Sequence, residues 1–294
     1  VTSKIRTVGV IGAGQMGTGI AQVLAQAGYT VSLNDLSPAQ VEAALGRIGK
    51  SLARLVEKNR LAAEDARATG TRLSLASVDV IGKCDLVIEA ATEDESVKRR
   101  IFDDLAPHLA PHTILTTNTS SLSITRLGAA TDRPERFMGL HFMNPVPVMQ
   151  LVELIRGIAT DQPTFNSVAG VVARLGKTAS ISEDYPAFIV NRILVPMINE
   201  AAYALYEGVG NVSSIDDSMK LGANHPMGPL ELGDFIGLDT CLAIMHVLNE
   251  GLGDTKYRPC PLLVKYVEAG WLGRKVGRGF YDYRDRDAGP VPTR

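Results

Sequence analysis

The stretch VGVIGAGQMGTGIAQVLAQA, residues 8–27, joins a short apolar run to a segment of helical character through glycines at 12, 14 and 17. Val8–Ile11 reads as a buried strand and Met16–Ala27 as a helix. The GAGQMG string therefore stands where a dinucleotide fingerprint must stand, after a strand and at the mouth of a helix. Gly12 permits the tight turn, Gly14 lets backbone N–H groups approach a pyrophosphate, and Gly17 lets helix and strand pack closely. The helix N-terminus then faces the anion.

Asp35 closes the next apolar run, where a carboxylate accepts hydrogen bonds from adenosine ribose hydroxyls and repels a 2′-phosphate. Leu36, Ser37 and Pro38 follow with no arginine among them, which favours NAD over NADP. The alternative reading of Asp35 is a helix cap ahead of Pro38.

Outward from this unit, runs rich in Val, Ile and Leu recur at Thr30–Leu33, Leu86–Ile88, Ile114–Thr117 and Phe137–Leu140, with helical segments at Ala39–Val56 and Val97–Leu109 between them. That alternation predicts a doubly wound, Rossmann-type α/β sheet. Leu151–Ile155 and Thr178–Ile181 are candidates to extend it. After Asp184 the texture changes to helical periodicity, as in Ile189, Ile193, Pro196, Met197, Ala201 and Leu205, with no strand-like run before Gly279–Tyr283. Two domains are expected, a nucleotide-binding one over 1–184 and an all-helical one over 185–294.

A length of 294 residues suits two domains, and 45% hydrophobic with 21% charged residues suits a chain folded throughout. Thirty basic and 32 acidic residues nearly cancel, which argues against nucleic-acid or membrane partners drawn by net charge. Cys84, Cys241 and Cys260 are odd in number and unpaired in spacing, so neither disulfides nor a metal site is expected. No apolar run approaches the about 18 residues that span a bilayer. With an N-terminus that runs almost at once into Val8–Ile11, a cytoplasmic protein is expected.

Hydride transfer at a carbonyl carbon needs a group that moves the hydroxyl proton, so the histidines matter. His108 and His112 fall at a polar helix end and read as solvated, His246 reads as packed against core, and His225 sits in a loop before Pro226. His141 ends a strand-like run at the sheet edge where such folds bind ligands. Glu153 lies inside the apolar run 151–155, where a carboxylate needs a buried partner. A turn over Asn144–Pro147 would fold the chain back and bring Glu153 to His141, fixing the imidazole tautomer. The alternative is two unrelated residues.

With these residues in view, the chain resembles the L-3-hydroxyacyl-CoA dehydrogenases, a family that includes bacterial 3-hydroxybutyryl-CoA dehydrogenases. The likeness runs from GAGQMG through NTSSLSIT (118–125), GLHFMNPVPVMQLVELI (139–155), FIVNRILVPMINEA (188–201), KLGANHPMGPLELGDFIGLDT (220–240) and GRKVGRGFYDY (273–283). The resemblance implies that His141 is the catalytic base in oxidation and acid in reduction, with Glu153 as its partner. It further implies that Ser120 and Asn191 contact the reacting oxygen or nearby substrate and cofactor groups. Ala13, Gln15, Met16, Glu93, Lys98, Asn118, Asn144 and Lys275 fall at cofactor positions by the same likeness, Glu93 and Asn144 near the nicotinamide. Ser51 and Lys58 fall at CoA positions, on a helix whose Arg47, Lys50, Arg54 and Lys58 make one face basic; a plainly solvated face is the alternative.

The implied activity is reversible hydride transfer between NAD(H) and C3 of a short-chain L-3-hydroxyacyl-CoA or 3-ketoacyl-CoA, by a homodimer in fatty acid or butanoate metabolism. Two rivals stand beside it. One is a dehydrogenase of the same fold acting on a free hydroxy acid, and the other an NAD-binding structural protein without catalysis.

Overall fold

A computed structural model of the chain describes residues 5–285, 287 and 289–293. It divides into two compact units, Val1–Tyr185 and Pro186–Arg294.

The first unit is one eight-stranded sheet with helices. Its strands are β1 (Thr7–Ile11), β2 (Thr30–Asn34), β3 (Leu73–Leu75), β4 (Leu86–Glu89), β5 (Ile114–Thr117), β6 (Phe137–Phe142), β7 (Leu151–Arg156) and β8 (Thr178–Glu183). They lie in the order β3-β2-β1-β4-β5-β6-β7-β8. Its helices are α1 (Gln15–Gln26), α2 (Pro38–Glu57), α3 (Ala63–Thr71), α4 (Val78–Ile81), α5 (Glu95–Leu105), α6 (Ile124–Gly128) and α7 (Gln162–Arg174). Local chemistry fixes several helix starts: Asp94 accepts from Val97 N to cap α5, and Asp161 accepts from Thr164 N to cap α7.

Two features of this sheet position the site. From β1 the chain winds outward to β2 and β3, then returns to β4 on the other side of β1, so the winding reverses between β1 and β4 and opens a crevice at their C-terminal ends. The second is β7, which pairs antiparallel with β6 in a ladder where every other pairing is parallel. Its register sets Glu153 directly opposite His141.

Strand β3 has no counterpart in the sequence reading. It is three residues long, mostly exposed, and defined by its pairing with β2 at the sheet edge rather than by an apolar run.

The second unit is built from α8 (Val190–Tyr206), α9 (Val212–Asp217), α10 (Pro229–Ile236), α11 (Leu238–Leu252) and α12 (Pro261–Glu268). A two-residue ribbon, β9 (Tyr281–Asp282) with β10 (Val291–Pro292), adds to the helices expected there. The periodicity of α8 is helical, but its buried face runs through Val195, Ile198, Ala202 and Leu205, while Ile193 is 69% exposed. His246, expected against core, is exposed, because α11 turns Cys241, Ile244, Met245 and Leu248 inward instead. No described helix is long and apolar enough to cross a membrane.

Two buried carboxylates stitch this unit together. Asp216 accepts from Leu230 N, Glu231 N and the Tyr281 hydroxyl; Asp234 accepts from Phe280 N, Tyr281 N and the Tyr283 hydroxyl. The approach is so close that a Cβ at Gly279 would lie 1.9 Å from Asp234 Oδ1, which explains the glycine in GRGFYDY. Burial pushes the Asp234 carboxyl up from 3.8 to about 6, against the hydrogen bonds that favour its charged form. A carboxyl raised in the folded state stabilises the fold fully below its unfolded value and loses that contribution as pH rises through the folded value. Between pH 4 and 7 the loss should be about 2 kcal/mol. Urea unfolding across that range should show the slope in the parent and a flatter one in Asp234→Asn; identical slopes would refute the assignment.

Candidate active site

The glycine turn meets the geometric demands of the fingerprint. Gly12 adopts φ +102°, and a Cβ there would lie 2.5 Å from the Ala90 carbonyl oxygen. A Cβ at Gly17 would lie 1.8 Å from the Gly12 carbonyl oxygen, so α1 can follow β1 this closely only with glycine there. At Gly14 a Cβ would meet nothing within 4 Å, because the turn opens there onto a cavity of about 600 Å³. No side chain caps α1 and no acidic residue lies in its first turn, so its N-terminal amides suit an anionic ligand.

The cavity lies at the reversal of winding. Gly12, Gly14, Gln15 and Met16 line it from β1 and α1, Asn34, Asp35 and Leu36 from the end of β2, and Ala90 to Thr92 from the end of β4. Its volume suits a cofactor site. Asp35 is fixed at the rim: its Oδ2 accepts from Ala13 N at 2.7 Å and its Oδ1 from Ser37 N at 3.1 Å. Val78, Val97 and Ile101 give the cavity an apolar wall, which suits a flat base. The residues present thus fit a dinucleotide: open amides for phosphates, a carboxylate for ribose hydroxyls, and an apolar slot.

The floor below is ionic and sealed. Glu89, at the end of β4, accepts from Lys98 Nζ at 2.8 and 2.7 Å, from the Thr117 hydroxyl at 2.6 Å and from Ala91 N at 2.7 Å. Both charged side chains are 0% exposed. Lys98, expected among the cofactor's contacts, is enclosed in this ion pair with Glu89. It neutralises Glu89, which in turn holds the 90–92 wall of the cavity. The signal was present in the sequence, since an acidic residue closing the apolar run at Leu86–Ile88 needs a buried partner as Glu153 does.

His141 and Glu153 meet as their register dictates, with Nδ1 2.7 Å from Oε2. His141 is 7% exposed and Glu153 fully buried. Toward an ionised carboxylate, which only accepts, Nδ1 carries the hydrogen, and Nε2 is the ring nitrogen turned away from Glu153. Asn118 ties the neighbouring strand end to this one, its Oδ1 accepting from Phe142 N at 2.8 Å. Glu93 gathers the 119–121 turn: its Oε1 accepts from Ser120 N at 2.8 Å and from the Ser120 hydroxyl at 3.0 Å, with Thr119 and Ser121 also donating. Asn144 Oδ1 accepts from Gln15 Nε2 at 2.9 Å, joining the loop after β6 to the glycine turn.

Other residues singled out in the sequence lie on other elements. Ser51 is half-buried on α2 and Lys58 exposed just past its end. Arg47, counted with the basic face of α2, instead donates to the Ala13 carbonyl at 2.8 Å and contacts the Thr18 hydroxyl at 3.1 Å, bracing the glycine turn from outside. Asn191, in the first turn of α8, and Lys275, paired with both oxygens of Asp239 at 2.6 Å, belong to the second unit.

Comparison with known proteins follows the same division. Residues 7–184 match the family model described as 3-hydroxyacyl-CoA dehydrogenase, NAD binding domain, and residues 188–283 match the one described as 3-hydroxyacyl-CoA dehydrogenase, C-terminal domain. The chain is 64% identical to a 3-hydroxybutyryl-CoA dehydrogenase of Bradyrhizobium diazoefficiens over 295 aligned residues, covering 100% of both. It is 46% identical to the enzyme of that name from Clostridioides difficile, covering 93% of this chain and 98% of the relative. A crystal structure of (S)-3-hydroxybutyryl-CoA dehydrogenase from Ralstonia eutropha superimposes with a TM-score of 0.93 at 48% identity, covering 96% of this chain and 100% of that one. With both halves matched in order and relatives this similar along their full length, the chain belongs to the 3-hydroxyacyl-CoA dehydrogenase family.

Proposed function

We propose that this protein catalyses reversible hydride transfer between NAD(H) and C3 of a short-chain L-3-hydroxyacyl-CoA or 3-ketoacyl-CoA, of the 3-hydroxybutyryl-CoA and acetoacetyl-CoA kind. The observation that carries the reading is the buried His141–Glu153 pair at 2.7 Å, at the strand ends beside a dinucleotide crevice. NAD bound in that crevice supplies the two-electron acceptor or donor.

The chain's own residues handle the proton and the geometry. His141 takes the hydroxyl proton at Nε2 in oxidation and returns it to the carbonyl oxygen in reduction, while Glu153 holds the ring and offsets the positive charge it gains. Ser120 and Asn191 orient the reacting oxygen, and Glu93 fixes the backbone that carries Ser120. Asn144, held by Gln15, faces the nicotinamide end. Lys275 completes the cofactor's contacts from the second unit. Asp35 selects NAD through its charge at the ribose. Ser51 and Lys58, with Lys50 and Arg54 on the exposed face of α2, receive the phosphates of CoA.

In this reading residues 1–184 bind the cofactor, and 185–294 bind substrate and dimerise. Exposed apolar side chains such as Val209 and Leu221, 77% and 86% exposed, support the second role. Likeness to bacterial enzymes extends the reading to a cytoplasmic homodimer in fatty acid or butanoate metabolism.

The test follows absorbance of NADH and of NADPH across ketoacyl-CoA thioesters of increasing length, with free acetoacetate in parallel. Acetoacetyl-CoA with NADH should give the highest kcat/KM, about 100-fold or more above NADPH. Turnover of the free acid alone would favour a hydroxy-acid dehydrogenase, and NADH binding without any turnover would favour a structural role.

A further inference from the structure

The loop 143–150 leaves β6 just past His141 and returns to β7 just before Glu153, with no helix or strand of its own. Near its start, Asn144 is bonded to Gln15. Its middle packs on α1: Val146 is 2% exposed, and a Cβ at Gly19 would come within 2.9 Å of Val146 Cβ. A third attachment comes from Lys177, in the turn between α7 and β8. Its Nζ donates to the carbonyl oxygens of Val146 at 2.8 Å and of Met149 at 2.6 Å.

This is an uncommon use of a lysine, whose ammonium ordinarily stays in water or meets a carboxylate. Here burial pushes its pKa below the ordinary lysine value, with no opposing carboxylate among the described residues. Charge-assisted bonds to two carbonyls of one loop offset the lost hydration. The local chain does not need that side chain, because Lys177 N donates to Val172 O and Thr178 N to Gln150 O through the backbone alone.

We propose that Lys177 is a positioning residue for the dehydrogenase reaction: its ammonium draws the Val146 and Met149 carbonyls together and so holds Asn144 against the glycine turn. The inference rests on the reading that Asn144 faces the nicotinamide. His141 and Glu153 meet through the β6–β7 ladder rather than through the loop, so losing the clamp disturbs cofactor registration and spares the proton carrier.

The experiment compares the full-length parent with Lys177→Met, which keeps the apolar stem and removes the donors, and with Lys177→Arg, which restores them. NADH binding is titrated by fluorescence, and kinetics are measured with acetoacetyl-CoA over a range of pH. For Lys177→Met the NADH dissociation constant should rise about 10-fold and kcat should fall about 10-fold, with KM for acetoacetyl-CoA within about two-fold of the parent and the shape of the pH–rate profile unchanged. Lys177→Arg should recover most of both losses. Parent-like NADH affinity and kcat in Lys177→Met, or an arginine variant no better than the methionine one, would overturn the proposal. If circular dichroism finds Lys177→Met unfolded, Lys177→Leu, which likewise keeps an apolar stem and has no side-chain donor, takes its place under the same criteria. A parent that does not turn over acetoacetyl-CoA defeats the functional reading, whereas the NADH titrations still decide the clamp.

Discussion

Replacing His141 with Gln should lower kcat by about 10²–10⁴-fold while leaving the NADH dissociation constant within about two-fold of the parent. Glutamine keeps most of the volume and a donor toward Glu153, so the strand register and the cofactor crevice survive. What it cannot do is take up a proton at the position of Nε2. Single-turnover absorbance with acetoacetyl-CoA isolates that step from product release, and a variant turning over at the parent rate would remove His141 from the chemistry. Glu153→Gln should lower kcat less than His141→Gln does, since the ring keeps a hydrogen-bond partner but loses the negative charge that offsets the proton it gains in oxidation.

The second large effect concerns the glycine turn, where two single substitutions should behave differently. In Gly17→Ala the new methyl would stand 1.8 Å from the Gly12 carbonyl oxygen, a backbone atom that can give way only by reshaping the turn. The overlap outweighs the modest helix preference of alanine over glycine, so the melting temperature should drop by several degrees and NADH affinity by about 100-fold or more. In Gly14→Ala the methyl meets no protein atom within 4 Å. Stability should then hold while NADH affinity falls, because the only thing obstructed is the approach of the cofactor's phosphates. Thermal melts paired with fluorescence titrations separate the cases, and parent-like NADH affinity in both variants would show that this turn does not cradle the dinucleotide.

What could be read from the sequence was what depends on neighbours along the chain. The strand, turn and helix around GAGQMG are local, and each glycine has a steric reason within a few residues. Glu153 stood out because a carboxylate in an apolar run needs a partner, and a turn at Asn144–Pro147 could bring it to His141, although spacing alone left two unrelated residues open. The same argument applied to Glu89 would have found that it too needed a buried partner, and Lys98 supplies it.

Other features depend on three-dimensional neighbours that leave no mark on the string. The partners of Lys177 are backbone carbonyls, which every residue carries, so nothing in the sequence singles them out. Arg47 looked like part of a basic stripe because spacing reports which helix face a residue occupies, not what a long side chain reaches around to touch. His246 and Ile193 sat in helical patterns whose inward direction only packing decides. Strand β3 exists because β2 offers it an edge.

The reversal of direction at β7 has a kinetic side. Most neighbouring strands of the sheet are joined by crossovers through helices, long stretches that must be ordered before their ends can pair. His141 and Glu153 are separated by only 12 positions and belong to one hairpin. Bringing them together closes a small ring of chain at little entropic cost, so this contact can form early and independently of the distant pairings that complete the sheet. The buried histidine–carboxylate pair is thus among the most locally encoded parts of the molecule, although the crevice beside it is assembled from segments far apart in the chain.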